Sequence, residues 1–198
     1  MGATESTTLY VSFNLKTVGG NPEDLPVINW GFVAYTGDKE KVSDLSVNTI
    51  PLRADPNTIA WFNSTDALKE KYAKCIENAV PPEQGIKIIR AWLVPLDKEF
   101  KGNVILIAYP TVFDGSLLYY YWFRYLGHPT GGKGPGFTIL DIRSYASGKL
   151  NIPYTEASWE TALKPYVPTD TPHTHCGLNN AEAQMWLYFN IRDGNAKP

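Results

Sequence analysis

Cysteine is scarce, positive charge is not in excess, and no apolar run approaches the length of a membrane span. The two cysteines, Cys75 and Cys176, are too few for a disulfide framework, so a reduced interior is the simpler expectation. Lysine and arginine number 18 against 20 aspartates and glutamates, a net charge of −2. That excludes a basic nucleic-acid binder whose affinity comes from many phosphate contacts. It leaves room for an enzyme that grips a few nucleotides. No apolar run reaches the ~18 residues a membrane span needs, so no membrane partner is expected. The opening MGATESTTLYV lacks a basic stretch followed by an apolar one, which argues against a secretory signal. These absences predict a soluble, cytoplasmic protein.

Several catalytic patterns are missing as well. The glycine-rich GHPTGGKGPG follows a helical run and fails the Walker pattern, because Gly134 and not Ser or Thr follows Lys133. His173, His175 and Cys176 are too closely spaced for structural zinc, and a second ligand pair is lacking. There is no G-x-S-x-G elbow.

What is present is globular. Hydrophobic residues make up 43% of the 198, charged residues 19% and aromatics 13%, enough for one domain with a sizeable core. We read residues 1–198 as a single domain with its core at about 8–191, without internal repeats. Short β-rich runs at 8–13, 27–37 and 42–52 predict three strands joined by short loops, hence antiparallel. Helical periodicity appears from Asp66 to Ala79, capped by Thr65 or Asp66, and again after Pro82. VILIAYP at 104–110 reads as a central strand. A helix over FDGSLLYYYWFRYLG ends at Gly127, FTILDI is a strand, RSYASGKL a short helix, and Asn180 to Ile191 the last helix. This order predicts an α/β fold with a mixed five-stranded sheet flanked by helices. The aromatic run Tyr119 to Phe123 holds too many large rings for one helix face; most are expected to be buried.

Three stretches carry a more specific signal: SFNLKTVGG at 12–20, AYPTVFDGS at 108–116 and HTHCGLNNAEAQ at 173–184. In this order and on these elements the chain resembles the DEDDh-type 3′–5′ exonucleases of the ribonuclease H-like fold. It is most similar to small bacterial exoribonucleases whose last motif runs H-T-H-x-A-L-D-D-A-x-E-Q. The resemblance spans about residues 9–191 and implies that fold. It also implies two divalent ions, Mg²⁺ or Mn²⁺, about 4 Å apart on four carboxylates, with a histidine as general base.

Three of the five implied catalytic positions are changed. The first-motif aspartate and glutamate fall on Asn14 and Lys16, and the third-motif aspartate falls on Asn180. Asp114 and His175 are retained. Where the family has roughly −4 of charge for two dications, these four positions sum to zero: Lys16 +1, Asp114 −1, and two neutral amides. An ammonium ~4 Å from a unit charge at an effective dielectric of about 20 repels it by about 4 kcal/mol, and a dication feels twice that. No resident metal is therefore expected, with Asp114 the one ligand left for any, and Lys16 is expected to pair with Asp114. Glu182, Asp38, Glu40 and Asp141 offer no evident substitute acid. Val18 and Asn179 depart from the pattern too, which favours natural decay over engineering.

Three functions follow. The first is an exonuclease-like protein that no longer cuts but holds a single-stranded RNA or DNA 3′ end through Lys16, Thr17 and His175. The second is an active Mg²⁺- or Mn²⁺-dependent exonuclease with a rearranged site. The third is a non-catalytic scaffold, homo-oligomeric or bound to a protein partner.

Overall fold

The computed structural model describes residues 8–101, 103–127, 138–167 and 176–196. Three antiparallel strands come first: β1 (Leu9–Thr17), β2 (Val27–Thr36) and β3 (Lys41–Asn48). Helices α1 (Pro56–Phe62), α2 (Asp66–Ile76) and α3 (Pro82–Glu99) follow. Then come β4 (Val104–Ala108), α4 (Thr111–Leu126), β5 (Ile139–Asp141), α5 (Ile142–Leu150) and α6 (Gly177–Asp193). The sheet order is β3-β2-β1-β4-β5, with β4 and β5 parallel to β1. This is the mixed five-stranded α/β sheet that the pattern predicts.

Alternation along β1 sorts its side chains between two layers. Leu9, Val11, Phe13 and Leu15 enter the core shared with Ile86, Ile89 and Leu93 of α3 and Leu117 and Tyr121 of α4. Tyr10 enters the opposite layer, with Ala181, Met185 and Phe189 of α6 and Ile142 and Ala146 of α5. Ser12, Asn14 and Lys16 share the face of Tyr10, so the motif positions look toward α6. A third, smaller cluster of Val18, Ile28, Phe62 and Cys75 closes the end of β1 against α1 and α2.

Several boundaries differ from the sequence expectation. The first strand runs on to Thr17, because Asn14 and Lys16 stay in register with Gly31 and Asn29 of β2. The third strand stops at Asn48; Thr49 instead bridges Val80. α1 had no periodic signal, being only 7 residues long; Asp55 starts it by accepting the backbone N–H of Thr58 at 2.8 Å. α2 is capped by Thr65, whose hydroxyl accepts from Leu68 N at 3.2 Å. α6 starts at Gly177, three residues ahead of Asn180. Within the aromatic run, Tyr121 and Trp122 are buried, Tyr119 and Tyr120 half-buried and Phe123 exposed. The Tyr121 hydroxyl accepts the Val27 N–H at 2.9 Å, tying α4 to β2.

No helix among the described residues is long and apolar enough to cross a membrane.

Candidate functional site

The site is built where β1 ends and two helices begin. β1 presents Asn14 and Lys16 on one face. α4 presents Asp114 in its first turn, and α6 presents Asn180 in its own.

α6 reaches the sheet through two glycines. A Cβ on Gly31 would fall inside the peptide that joins Gly177 to Leu178. A Cβ on Gly177 would lie 2.8 Å from the Asn14 carbonyl oxygen and 2.9 Å from Gly31 N. Helix and sheet therefore meet main chain to main chain, with the first turn of α6 seated on Asn14. The Gly177 N–H, which no helical carbonyl can accept, donates to Asn29 Oδ1 at 2.7 Å. Asn29 in turn donates to Asn48 Oδ1 at 2.7 Å and to Ser46 Oγ at 3.2 Å, so one amide fixes α6 to both β2 and β3.

α4 is aimed by Asp141. Its Oδ2 accepts the Thr111 N–H at 2.9 Å and its Oδ1 the Ser144 N–H at 2.7 Å. One carboxylate thus caps α5 and holds the start of α4. Burial raises its pKa, but those backbone donors outweigh it and hold the carboxyl below its ordinary value.

Asp114 is 3% exposed. Its Oδ2 accepts from Asn14 Nδ2 at 3.2 Å. Burial pushes its carboxyl up to about 7, against the opposing pull of Lys16, the Asn14 amide and the Leu15 backbone. Lys16 is partly buried. Burial lowers its pKa, and the charge of Asp114, followed by Cys75 and Cys176, acts to raise it. The expected Lys16–Asp114 ion pair is not made. The two groups feel each other's charge, but the direct partner of Asp114 is Asn14. Lys16 lies two residues further along β1, opposite Asn29.

Around these groups lies unspent hydrogen-bonding capacity. Asn180 is 1% exposed, and neither its Oδ1 nor its Nδ2 has a partner among the described residues. Ser12 Oγ, Asn14 Oδ1 and Gln184 Oε1 are buried in the same condition.

The donor set does not suit the pair of dications that the family resemblance implies. Among the described residues the site holds one carboxylate, it is drawn toward its neutral form, and one of its oxygens is engaged by an amide N–H. The remaining donors are neutral amides, and an ammonium stands beside them. Among the described residues, no three His, Cys, Asp or Glu side chains gather as a metal-binding group.

The structure brings Asn14, Lys16 and Asp114 together and sets the Asn180 helix turn against Asn14. Thr17 ends β1, half-buried, opposite Val27. His175, His173 and the glycine-rich loop with Lys133 lie outside the described residues. Glu182 is directed elsewhere: it accepts from Tyr35 Oη and pairs with Lys41 at 3.1 Å. Reasoning from sequence missed Asn29, Gln184 and Asp141 as positioning residues. Asp141 carried a signal, since an aspartate directly before a helical run is a cap, and Gln184 closes the third motif stretch; Asn29 carried none.

No protein-family model and no curated protein matches the sequence. Solved structures do match. A full-length 3′-exonuclease superposes with a TM-score of 0.63 at 15% identity, over 96% of this chain and 84% of that one. E. coli exonuclease I in complex with a dT13 oligonucleotide gives 0.67 at 12% identity, over 93% of this chain and 41% of that one. A 3′-exonuclease described as recognising the 3′ end of a histone mRNA stem-loop gives 0.64 at 15% identity, over 94% and 64%. The chain has the exonuclease fold. Within this fold the described parts of the motif stretches meet at the end of β1. The chain spans about two-fifths of the length of exonuclease I, 41%, so it corresponds to one part of that larger protein.

Proposed function

We propose that this chain has lost two-metal phosphodiester hydrolysis and uses the remaining groove to hold a single-stranded RNA or DNA 3′ end. The observation that carries this reading is the Asp114 environment: a lone buried carboxylate bonded to Asn14, with Lys16 in place of a further acid. Phosphate binding by a lysine is ordinary chemistry, and Lys16, Thr17 and His175 are the residues we assign to it. Exonuclease I in complex with an oligonucleotide and the exonuclease that recognises an RNA 3′ end share this fold, which supports the class of ligand. On this reading the protein belongs to the DEDDh group by descent, is non-catalytic and works in the cytoplasm.

The experiment is calorimetric titration with Mn²⁺ on the full chain and on the triple reversion Asn14→Asp, Lys16→Glu, Asn180→Asp, paired with an end-labelled oligomer assay. The unaltered chain is expected to bind no Mn²⁺ tightly and leave the oligomer intact, while the reversion gains both metal binding and shortening. Shortening by the unaltered chain that disappears in Asp114→Ala would replace this reading with an active, rearranged exonuclease.

A further inference from the structure

Beside Lys16, on the side of β2 and β3, a cavity of about 370 Å³ opens between α2 and the start of α6. Its floor is polar but already bonded. Asn29 donates to Ser46 and Asn48 and accepts from Gly177, and Asn48 donates to the carbonyls of Lys74 and Glu77 at 2.9 Å each. Lys74 at its edge pairs with Glu70 at 2.9 Å. Lys71 and Asn179 complete the polar lining, and the walls also carry two sulfurs. Cys75 enters from α2, and Cys176 from the residue that begins α6.

We propose that Cys75 and Cys176 are a redox pair that closes as an intramolecular disulfide across this cavity when the protein meets a peroxide. The two thiols lie 101 positions apart in the chain, yet they line one cavity, and Cys176 is close enough to act on the charge of Cys75 and both on that of Lys16. Their roles differ by environment. Cys176 is half-buried, so a small oxidant reaches it first. Cys75 is 6% exposed, and burial pushes its thiol up to about 11, so it stays protonated and acts second.

The steps balance. The Cys176 sulfur attacks one peroxide oxygen, the O–O bond breaks, and sulfenic acid and water form. The Cys75 sulfur then attacks the sulfenyl sulfur. The S–S bond forms, the S–O bond breaks, and hydroxide leaves with the Cys75 proton as a second water. Two thiols are oxidised by two electrons and one peroxide is reduced. The product ties α2 to the start of α6. None of this depends on whether the neighbouring site holds nucleic acid.

The test is hydrogen peroxide on the purified full chain, followed by alkylation under denaturing conditions and peptide mapping without reductant. Both thiols are expected to be lost together, in a monomer, with a peptide joining Cys75 to Cys176, and dithiothreitol is expected to restore both. In Cys176→Ser the Cys75 thiol is expected to survive the same treatment, and in Cys75→Ser Cys176 is expected to proceed to sulfinic acid. The mapping on the unaltered chain needs no variant to fold. Survival of both thiols, sulfinic acid at Cys176 beside an alkylated Cys75, or Cys176-linked dimers would each overturn the proposal.

Discussion

Asp114 holds its proton to about pH 7 because burial disfavours its charge more than Lys16 and Asn14 favour it. The direction of the resulting pH dependence follows from linkage. A carboxyl whose folded value is raised above its unfolded 3.8 favours the fold at low pH. That contribution fades as pH rises from the unfolded value through about 7. Asp114→Asn keeps the shape and removes the charge. It is expected to leave stability near pH 4 almost unchanged and to raise it by a few kcal/mol at pH 8, on the order of 1.4 kcal/mol for each pH unit of displacement. Urea unfolding at the two pH values measures this; an equal effect at both would show that the carboxylate is not strained by burial. At this scale the sequence was informative where a motif fixed the spacing. Asn14, Lys16, Asp114 and Asn180 were all legible from their motifs. That Ser12 and Gln184 are buried without a partner for Oγ and Oε1 among the described residues was not, because only the packing of α6 on β1 decides it.

Two joints set the position of the helices around the site. Asp141 links the starts of α4 and α5, so Asp141→Ala is expected to cost about 1–2 kcal/mol by the loss of its cap bonds. Because the Asp141 carboxyl is held below its ordinary value, that stability is present above the ordinary carboxylate range. It is lost as pH falls through the lowered folded value, so mutant and parent are expected to converge in acid. Thermal melts across pH 2 to 7 would show the convergence. Gly31 is the second joint. Gly31→Ala forces the new methyl into the α6 backbone, which cannot move aside like the end of a flexible side chain. A loss of roughly 3–5 kcal/mol is expected, or failure to fold, read by denaturant midpoint and expression yield. Strand and helix types were legible because hydrophobic alternation and 3.6-residue periodicity report them directly. Boundaries were less so. β1 runs through polar Asn14 and Lys16 because its pairing with β2, and not hydrophobicity, carries it on. α1 is too short for its period to show. The glycine-rich segment and His175 lie outside the described residues.

The molecule as a whole carries a net charge of −2, and this limits how it can hold a polyanion. Binding through Lys16 and few other cations releases few counterions. The logarithm of the affinity for a short oligonucleotide is expected to fall with the logarithm of salt with a slope of about −1 to −2, taking roughly −0.7 per phosphate contact on a single strand. Fluorescence anisotropy across salt concentrations gives the slope. A value near −5 would mean a broad basic track that the composition does not supply, and binding that is absent up to high micromolar protein would count against the nucleic-acid reading itself. The overall architecture was legible because strand order and crossovers follow from the succession of elements.

The amides and hydroxyl buried between β1 and α6 also bear on how the fold could be improved. Interior polar atoms without partners weigh on folding, whereas apolar replacements of similar shape lift that burden. A reserve of thermostability therefore lies at Asn180 and its neighbours, the same side chains that surround Asp114 at the candidate site. On the proposed reading, a selection for heat resistance alone would erode ligand recognition there first.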